Sequence, residues 1–236
     1  MIDTIICGDC LEVMPTIPDK SVDMVLADLP YGVTACKWDT PIPLDSLWCE
    51  WLRICNGSIV LTACQPFASQ LVMSKLELFA YDLIMDKSMP TGHLNANRRP
   101  LRSHEHILIF NINGVYNPQF TEGPPHHDTK PKPYENENSI YGKYDPKNKH
   151  PSNKKYPRSI IKVNRPQPME HPSQKPVALF EYLIRTYTNE GDTVLDPTAG
   201  SGTTAVACKR SNRHYICIEK EPEYCAIAEK RLAEML

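Results

Sequence analysis

Hydrophobic residues along this chain follow two alternating patterns. Short apolar runs bounded by turn-forming residues are typical of buried parallel strands, whereas apolar residues spaced three and four apart indicate amphipathic helices. In the first 114 residues, runs of the first kind predict strands at 2–7, 22–27, 58–63, 81–85 and 106–110. Helical spacing predicts helices at 11–16, 44–55 and 66–78.

The same alternation returns toward the C-terminus. Helices are predicted at 176–187, 202–210 and 222–235, and strands at 192–196 and 215–218. Strands that alternate with helices over most of a chain predict an α/β fold with a doubly wound, mostly parallel sheet. Ligands of such sheets bind at the carboxyl ends of the strands.

Residues 115–168 have a different composition. They hold ten of the chain's 22 prolines, and no helical or strand period persists in them. We predict a loop-rich insertion or small subdomain, with disorder as the alternative. Its tyrosines and the apolar residues 160–163 favour some packing. The chain therefore divides into residues 1–114, 115–168 and 169–236.

Composition narrows the class of protein. A chain of 236 residues, 41% of them hydrophobic, suits one compact domain with a core and a smaller appendage. The sequence has no apolar run of about 18 residues and no cleavable leader, so we expect no membrane partner and a cytoplasmic location. Nine cysteines without a disulfide framework indicate reduced core residues, and no metal-site spacing is found.

Charge is distributed unevenly along the chain. The net charge of −2 conceals a basic segment, residues 87–168, which holds 14 Lys and Arg against 6 Asp and Glu. A basic region on an acidic body is expected of a protein that binds phosphates with one face. A solvated basic loop would give the same pattern.

A small, glycine-rich turn runs from Asp196 to Gly202, between a predicted strand and a predicted helix. It lacks the final Gly-Lys of a phosphate loop and is too short for the full dinucleotide-binding pattern. Glu219 ends the next strand, 17 positions after Gly202, where a carboxylate can accept the ribose hydroxyls of a nucleoside. Turn, helix, strand and acid together predict a nucleoside cofactor.

A second motif follows the predicted strand 22–27 and consists of Asp28, Leu29, Pro30 and Tyr31. It places a carboxylate at the ligand crevice, although an ordinary Asp-x-Pro turn would also explain it. These residues resemble the signature of DNA amino-methyltransferases. That signature is four residues long: Asp, Asn or Ser comes first, any residue second, Pro third and an aromatic residue fourth. Residues 196–204 and 171–176 resemble the cofactor motifs of the same family.

The order of these motifs resembles the β class of that family, a circular permutation of the seven-stranded S-adenosylmethionine-dependent methyltransferase fold. With Gly32, Thr34 and Trp38-Asp39 after the signature, the chain is most similar to small phage and prophage adenine methylases. The resemblance covers residues 2–114 and 169–236. It leaves the middle segment undefined.

The resemblance implies a mechanism for methylating the amino group of a base. Asp28 and the backbone carbonyl of Leu29 would accept the two amino hydrogens, which localises the nitrogen lone pair. Tyr31, held after the rigid Pro30, would stack on a flipped-out base. The family often has Pro in place of Leu29, but only the carbonyl of that residue is needed.

The resemblance also implies an S-adenosyl-L-methionine site. Its residues are Asp9, Cys10, Lys175, Asp196, Ala199, Gly200, Ser201, Gly202, Thr203, Thr204 and Glu219. Lys175 would pair with the cofactor carboxylate, Glu219 would hold the ribose, and Asp9 would accept the cofactor's adenine amino group. Taken alone, Asp9 is better explained as a helix N-cap.

Double-stranded DNA is the expected partner, and the middle of the chain is the candidate for target recognition. Arginine and lysine side chains can hold phosphates or read guanine edges. The candidates are Lys37, Arg98, Arg99, Arg102, Lys154, Lys155 and Arg158. Many β-class relatives dimerise, so a homodimer stays open.

Three alternatives stay open at this point. A cytosine N4-methyltransferase would carry similar motifs, although its class more often has Ser where Asp28 stands. An RNA or protein methyltransferase usually has the cofactor motif first and prefers Asn in the catalytic motif. A catalytically inactive DNA-binding module is disfavoured by the intact Asp28, Pro30 and Tyr31.

Overall fold

The computed structural model describes residues 2–32, 39–111, 114–123, 153–164 and 174–235. The chain forms two compact units, one of Met1–Asn117 with Ser159–Leu236 and one of Pro118–Arg158. The larger unit contains the main sheet and the helices. The smaller unit contains, within the described residues, one pair of short antiparallel strands.

The elements follow the predicted alternation. The strands are β1 (Thr4–Cys7), β2 (Val22–Asp28), β3 (Cys55–Ala63), β4 (Phe79–Thr91), β5 (Arg102–Phe110), β6 (Thr121–Glu122), β7 (Lys154–Lys155), β8 (Ile160–Val163), β9 (Thr193–Asp196) and β10 (His214–Glu219). The helices are α1 (Cys10–Val13), α2 (Leu44–Ile54), α3 (Phe67–Ser74), α4 (Val177–Tyr187), α5 (Thr203–Arg210) and α6 (Pro222–Ala233). Short 3-10 turns occupy Met14–Thr16, Leu76–Leu78 and His93–Asn95.

The main sheet has the strand order β1-β10-β9-β2-β3-β5-β4-β8. Neighbouring strands are parallel except that β5 is antiparallel to both β3 and β4. From β2 the chain continues to β3 on one side, whereas from β9 it continues to β10 on the other. The order therefore reverses between β2 and β9, and a crevice opens at the carboxyl ends of strands flanking such a switch point.

The sequence predicts a sheet of seven strands, but the main sheet contains eight strands within the described residues. The additional strand is β8, which pairs in parallel with β4, Ile84 lying opposite Ile160. Strand β8 lies within residues 115–168, where the sequence predicts loops. Its strand pattern is weak because only four residues pair and every second one is exposed. Strands β4 and β5 also extend beyond their apolar parts, since their polar ends pair with each other as far as Thr91 and Arg102.

Strand β2 shows why the sheet is covered on both faces. Its side chains alternate between faces, and Val25 and Ala27 belong to one buried apolar cluster while Met24 and Leu26 belong to another. Helix α2 packs on the first face through its buried Trp48, whose ring centroid lies 5.0 Å from that of Phe110. Helix α4 covers the second face through residues that include Leu183 and Ile184. Because both faces are buried, β2 contains an uninterrupted apolar run from Met24 to Ala27 rather than an alternating pattern.

Within the described residues, no helix is both long and apolar enough to cross a bilayer.

Candidate active site

The carboxyl ends of β2, β9 and β10 border a cavity of about 610 Å³ in the larger unit. Both sequence motifs reach it, since Asp28–Tyr31 and residues 196–201 are among its lining residues. A cavity of this size is in the range of small-molecule and cofactor pockets. The switch point of the sheet therefore brings together two motifs that are about 170 positions apart in the chain.

The glycine-rich turn is organised around the carboxylate of Asp196, which is almost fully buried. Asp196 accepts a hydrogen bond from the backbone N–H of Thr198 at 3.0 Å and another from the hydroxyl of Thr204 on α5. Burial raises the pKa of Asp196 to about 7, although these two hydrogen bonds favour the ionised form. Asp196 thus fixes the path of the backbone between β9 and α5.

Not every predicted cofactor residue lines the cavity. Ala199, Gly200, Ser201 and Thr203 do, but Gly202 and Thr204 are not among the lining residues. A Cβ atom at Gly202 would lie only 2.6 Å from the Cβ of Ala228 on α6, and its φ is +75°. Gly202 therefore allows α5 and α6 to approach each other closely.

Glu219 lies at the end of β10 beside this turn and lines the cavity. One carboxylate oxygen accepts the N–H of Gly200 at 2.7 Å, and the other accepts the N–H of Glu221 at 2.9 Å. Each oxygen can accept a second hydrogen bond. The backbone thus holds Glu219 in one orientation and leaves it acceptor capacity for hydroxyl groups of a ligand.

Asp9 follows β1, next to the end of β10 in the sheet, because Cys7 pairs with Glu219. One oxygen of Asp9 accepts the N–H of Leu11 at 2.9 Å, so Asp9 is the N-cap of α1. This bond and the ammonium of Lys220, 3.1 Å from the other oxygen, lower the pKa of Asp9. Cys10 also lines the cavity, and burial raises its pKa to about 11, which favours the neutral thiol.

Asp28 ends β2 and is surrounded by hydrogen-bond donors. Its Oδ1 accepts the hydroxyls of Tyr31 at 2.7 Å and of Thr62 at 2.5 Å, while Oδ2 accepts the ammonium of Lys175 at 2.8 Å. Thr62 reaches Asp28 because the two residues are paired across β2 and β3. The ring of Tyr31 packs against Phe67 with centroids 5.3 Å apart, so both ends of this side chain are held.

The remaining residues of the catalytic motif also line the cavity. Leu29 is buried and Pro30 is half-buried. The hydroxyl of Thr198 donates to the backbone carbonyl of Asp28 at 3.2 Å, which links the catalytic motif directly to the glycine-rich turn. Burial, and then the neighbouring Asp28 carboxylate, raise the pKa of Tyr31 well above its usual value.

Lys175 has partners that the sequence did not indicate. The family resemblance assigns it to a cofactor carboxylate, whereas in the structure its ammonium contacts Asp28 and lies 3.1 Å from Oε2 of Glu105. The other oxygen of Glu105 accepts the ammonium of Lys87 at 2.9 Å. Burial disfavours the charged form of Glu105, but the two lysines together hold its pKa below the usual value.

Thr62, Glu105 and Lys87 are site residues that sequence reasoning missed. One signal was available for Glu105, because it is an acidic residue two positions before the apolar run that ends β5. Lys87 likewise follows the apolar part of β4. Buried charged residues are seldom found without a partner, so such positions point to an ion pair even when the partner is unknown.

The predicted DNA-binding residues fall in several places. Arg98 and Arg99 are exposed between β4 and β5, and the half-buried Arg102 begins β5 and lines the cavity. In the smaller unit, Lys154 and Lys155 form β7, and the ammonium of Lys154 lies 5.8 Å from the centroid of the Phe120 ring. Arg158 is exposed. Thr34, Lys37, Trp38 and residues 171–173 lie outside the described residues.

In the part of the chain that the structure describes, no group of three or more His, Cys, Asp or Glu side chains is placed to hold a metal ion.

Comparisons with known proteins find relatives over most of the chain. A family model described as a DNA methylase, of the N6/N4 type, matches residues 22–230. The chain is 28% identical to the type II methyltransferase M.HinfI of Haemophilus influenzae, over 99% of this chain and 69% of that protein. It is also 28% identical to the DNA adenine methyltransferase YhdJ of Escherichia coli K12, over 97% of this chain and 82% of that protein.

A solved structure has the same fold. The crystal structure of M1.HpyAVI in complex with SAM matches with a TM-score of 0.65 and 26% identity, over 97% of this chain and 98% of that one.

Proposed function

This chain belongs to the DNA methylase family of the N6/N4 type, and from that membership we propose that it methylates the exocyclic amino group of adenine in double-stranded DNA, with S-adenosyl-L-methionine as methyl donor. The observation that carries the proposal is the arrangement of Asp28. Its carboxylate borders the same cavity as Glu219 and the glycine-rich turn. An acceptor for amino hydrogens and a nucleoside-binding edge thus share one pocket.

The residues around the turn fit S-adenosylmethionine. Asp9 lies just after β1, and Glu219 ends the adjacent strand β10. Both are held by backbone N–H groups with acceptor capacity left over. We assign Glu219 to the ribose hydroxyls and Asp9 to the adenine amino group of the cofactor. Residues 199–201 and Thr203 would contact its methionine part. The cofactor supplies an electrophilic methyl group on a sulfonium.

Asp28 and Leu29 would prepare the acceptor nitrogen. The lone pair of an exocyclic amino group is delocalised into the ring, which makes the nitrogen a poor nucleophile. Hydrogen bonds from the amino group to the Asp28 carboxylate and the Leu29 carbonyl favour a pyramidal nitrogen with a localised lone pair. The negative charge of Asp28 also stabilises the positive charge that develops on the nitrogen.

Tyr31 would position the base for this step. Its hydroxyl is tied to Asp28 and its ring rests on Phe67, so its orientation is fixed before a base arrives. A target base inside a duplex cannot enter a pocket of this kind, so the proposal includes base flipping. The arginines between β4 and β5 and the basic residues 154–158 would hold the DNA backbone.

The choice of adenine rests on two observations. The motif begins with Asp28, and in the β class Ser is more common at this position in cytosine-specific enzymes. YhdJ, which is similar over nearly the whole chain, is named a DNA adenine methyltransferase. The alternative within the family is methylation of the N4 amino group of cytosine.

The test is to incubate duplex DNA with the protein and methyl-labelled cofactor, digest the DNA to nucleosides and separate them. We expect the label in N6-methyl-2′-deoxyadenosine. Label in N4-methyl-2′-deoxycytidine would contradict the adenine proposal and leave the reaction class intact. Better labelling of RNA or of a protein than of duplex DNA would contradict the proposal as a whole. Sedimentation velocity of the same preparation would test for the homodimer that the resemblance leaves open.

A further inference from the structure

Four charged side chains form a row along the wall of the cavity. Asp28 contacts Lys175, Lys175 contacts Glu105, and Glu105 contacts Lys87, with nitrogen-to-oxygen distances of 2.8, 3.1 and 2.9 Å. All four are mostly buried, since their side chains are between 11% and 22% exposed. The charges alternate in sign and cancel, as buried charges must if they are to be tolerated.

Lys175 is the link between the two carboxylates. Its ammonium lies between Asp28, the proposed catalytic carboxylate on β2, and Glu105, which is on β5. Strand β3 lies between these two strands in the sheet. Burial disfavours the charged form of Lys175, but Asp28 and Glu105 nevertheless raise its pKa well above the usual value. Lys175 is therefore a cation, and it lies beside the carboxylate that the reaction needs.

In that position, the ammonium of Lys175 opposes the positive charge that methyl transfer creates. Oδ1 of Asp28 already accepts two hydroxyl groups, so the amino hydrogen of the base must be accepted by Oδ2, which Lys175 contacts. The amino nitrogen becomes positively charged as the methyl group arrives. An ammonium held close to the same oxygen opposes that charge, because like charges repel strongly in a poorly hydrated site.

Glu105 can relieve the repulsion between the Lys175 ammonium and the positive charge that develops on the amino nitrogen. We propose that Glu105 is a positioning residue that gives Lys175 a second anionic partner, so that the ammonium shifts from Asp28 toward Glu105 when the amino group binds. Among the described residues, the carboxylates within ion-pair distance of Lys175 are Asp28 and Glu105. Without Glu105, a lysine that leaves Asp28 would lose this second partner and become a buried charge without one of them. Lys87 neutralises Glu105 and limits how strongly it draws Lys175 away. This inference rests on the proposed amino-methyl transfer.

Oε2 of Glu105 fits this role. The atom is buried, and among the described residues it makes no hydrogen bond of good geometry, its contact being the 3.1 Å ion pair with Lys175. The oxygen can therefore form a shorter and better aligned bond to the ammonium if Lys175 moves toward it. Lys175 would then exchange one charge-assisted hydrogen bond for another.

The test compares Glu105→Gln with the double variant Glu105→Gln/Lys87→Met. The single variant keeps the shape of the side chain but leaves Lys87 unpaired and Lys175 bound to Asp28 alone. We expect its single-turnover transfer rate, at saturating cofactor and DNA, to fall by about 10–100-fold, as is typical when a residue that orients a catalytic group is lost. We expect its affinity for the cofactor to change by less than about threefold.

The double variant separates positioning from folding. Removing Lys87 as well eliminates the unpaired charge, so the melting temperature should recover, whereas the transfer rate should stay low because Lys175 still has no second partner. Lys87→Met alone should slow transfer less than Glu105→Gln does, since Lys175 keeps both carboxylates. Glu181→Gln, which breaks the Glu181–Arg185 ion pair on the surface of α4, is the matched control and should transfer at the wild-type rate.

Two results would overturn the inference. One is a Glu105→Gln variant that transfers as fast as the wild type. The other is a double variant whose transfer rate recovers together with its melting temperature, because Glu105 would then be only structural. Each comparison uses whichever DNA amino group the wild type methylates, so a wrong choice of base does not affect it. A wild-type protein without transfer activity would contradict the proposed function itself.

Discussion

Replacing Gly202 by alanine should weaken the packing of α5 against α6. Two costs can be worked out from the structure. The φ of +75° is a left-handed conformation that costs an L-residue about 1–2 kcal/mol. The new Cβ would lie 2.6 Å from the Cβ of Ala228, and relieving such an overlap in a packed core costs about 1–3 kcal/mol.

The free energy of unfolding should therefore fall by about 2–5 kcal/mol in Gly202→Ala. In a domain of this size that corresponds to a melting temperature lower by roughly 4–20 °C. Thermal unfolding without cofactor, followed by circular dichroism, measures it. Gly200→Ala is the matched control, because its φ is also positive, at +53°, but among the described residues no atom beyond its two chain neighbours lies within 4 Å of the added Cβ. It should lose only the conformational part, about 1–2 kcal/mol.

Ala228→Gly provides the reciprocal test. Alone it should destabilise α6 by about 1 kcal/mol, the usual cost of glycine in a helix. Combined with Gly202→Ala it removes the obstructing methyl group, so the double variant should be at least as stable as Gly202→Ala. The reasoning fails if Gly202→Ala costs no more than Gly200→Ala, or if Ala228→Gly simply adds its own destabilisation.

Three further predictions concern the site and the DNA. Asp28→Ala should abolish methyl transfer but leave cofactor affinity, measured by calorimetry, largely intact; wild-type-like turnover would contradict the proposed chemistry. Asp196 has its folded-state pKa raised to about 7 from a usual value of 3.8, so its contribution to stability is fully present at low pH and is lost as pH rises toward 7. Measured by urea unfolding, the free energy of unfolding of Asp196→Asn should decline less than that of the wild type between about pH 4 and pH 7. An unchanged pH dependence would refute this contribution of Asp196. Arg98→Ala and Arg99→Ala should each reduce the slope of log affinity against log salt by about 1, with no effect from the control Arg210→Ala at the far end of α5. Fluorescence anisotropy with duplex DNA at several salt concentrations tests this, and unchanged slopes would contradict phosphate contacts by these arginines.

Much of the fold could be predicted because its signals are local. The apolar run of β2, the helical spacing of α2 and the glycine-rich turn before α5 each lie within about a dozen residues. The predicted boundaries were nearly right for these elements. They were less accurate for β4 and β5, whose polar ends are held in the sheet only by pairing with each other.

The same distinction, between local signals and features that depend on strand pairing, applies to the candidate site. The sequence by itself determined that Asp28–Tyr31 and the turn from Asp196 end strands of one parallel sheet, because strand period and turn chemistry depend on neighbouring residues. It also determined Asp9 as an N-cap. Which side chains then contact each other depends on sheet order and register, and these are set by packing over the whole domain.

Only the tertiary structure decided the surroundings of Asp28. Lys175 contacts it from 147 positions away, and Thr62 contacts it through the pairing of β2 with β3. The structure likewise placed Glu105 beside Lys175 and Lys87 beside Glu105, and it showed that Gly202, which the resemblance assigns to the cofactor site, packs against Ala228. A charge in a sequence shows that a partner is needed, but the partner is selected by distances of a few ångströms that only the folded chain defines.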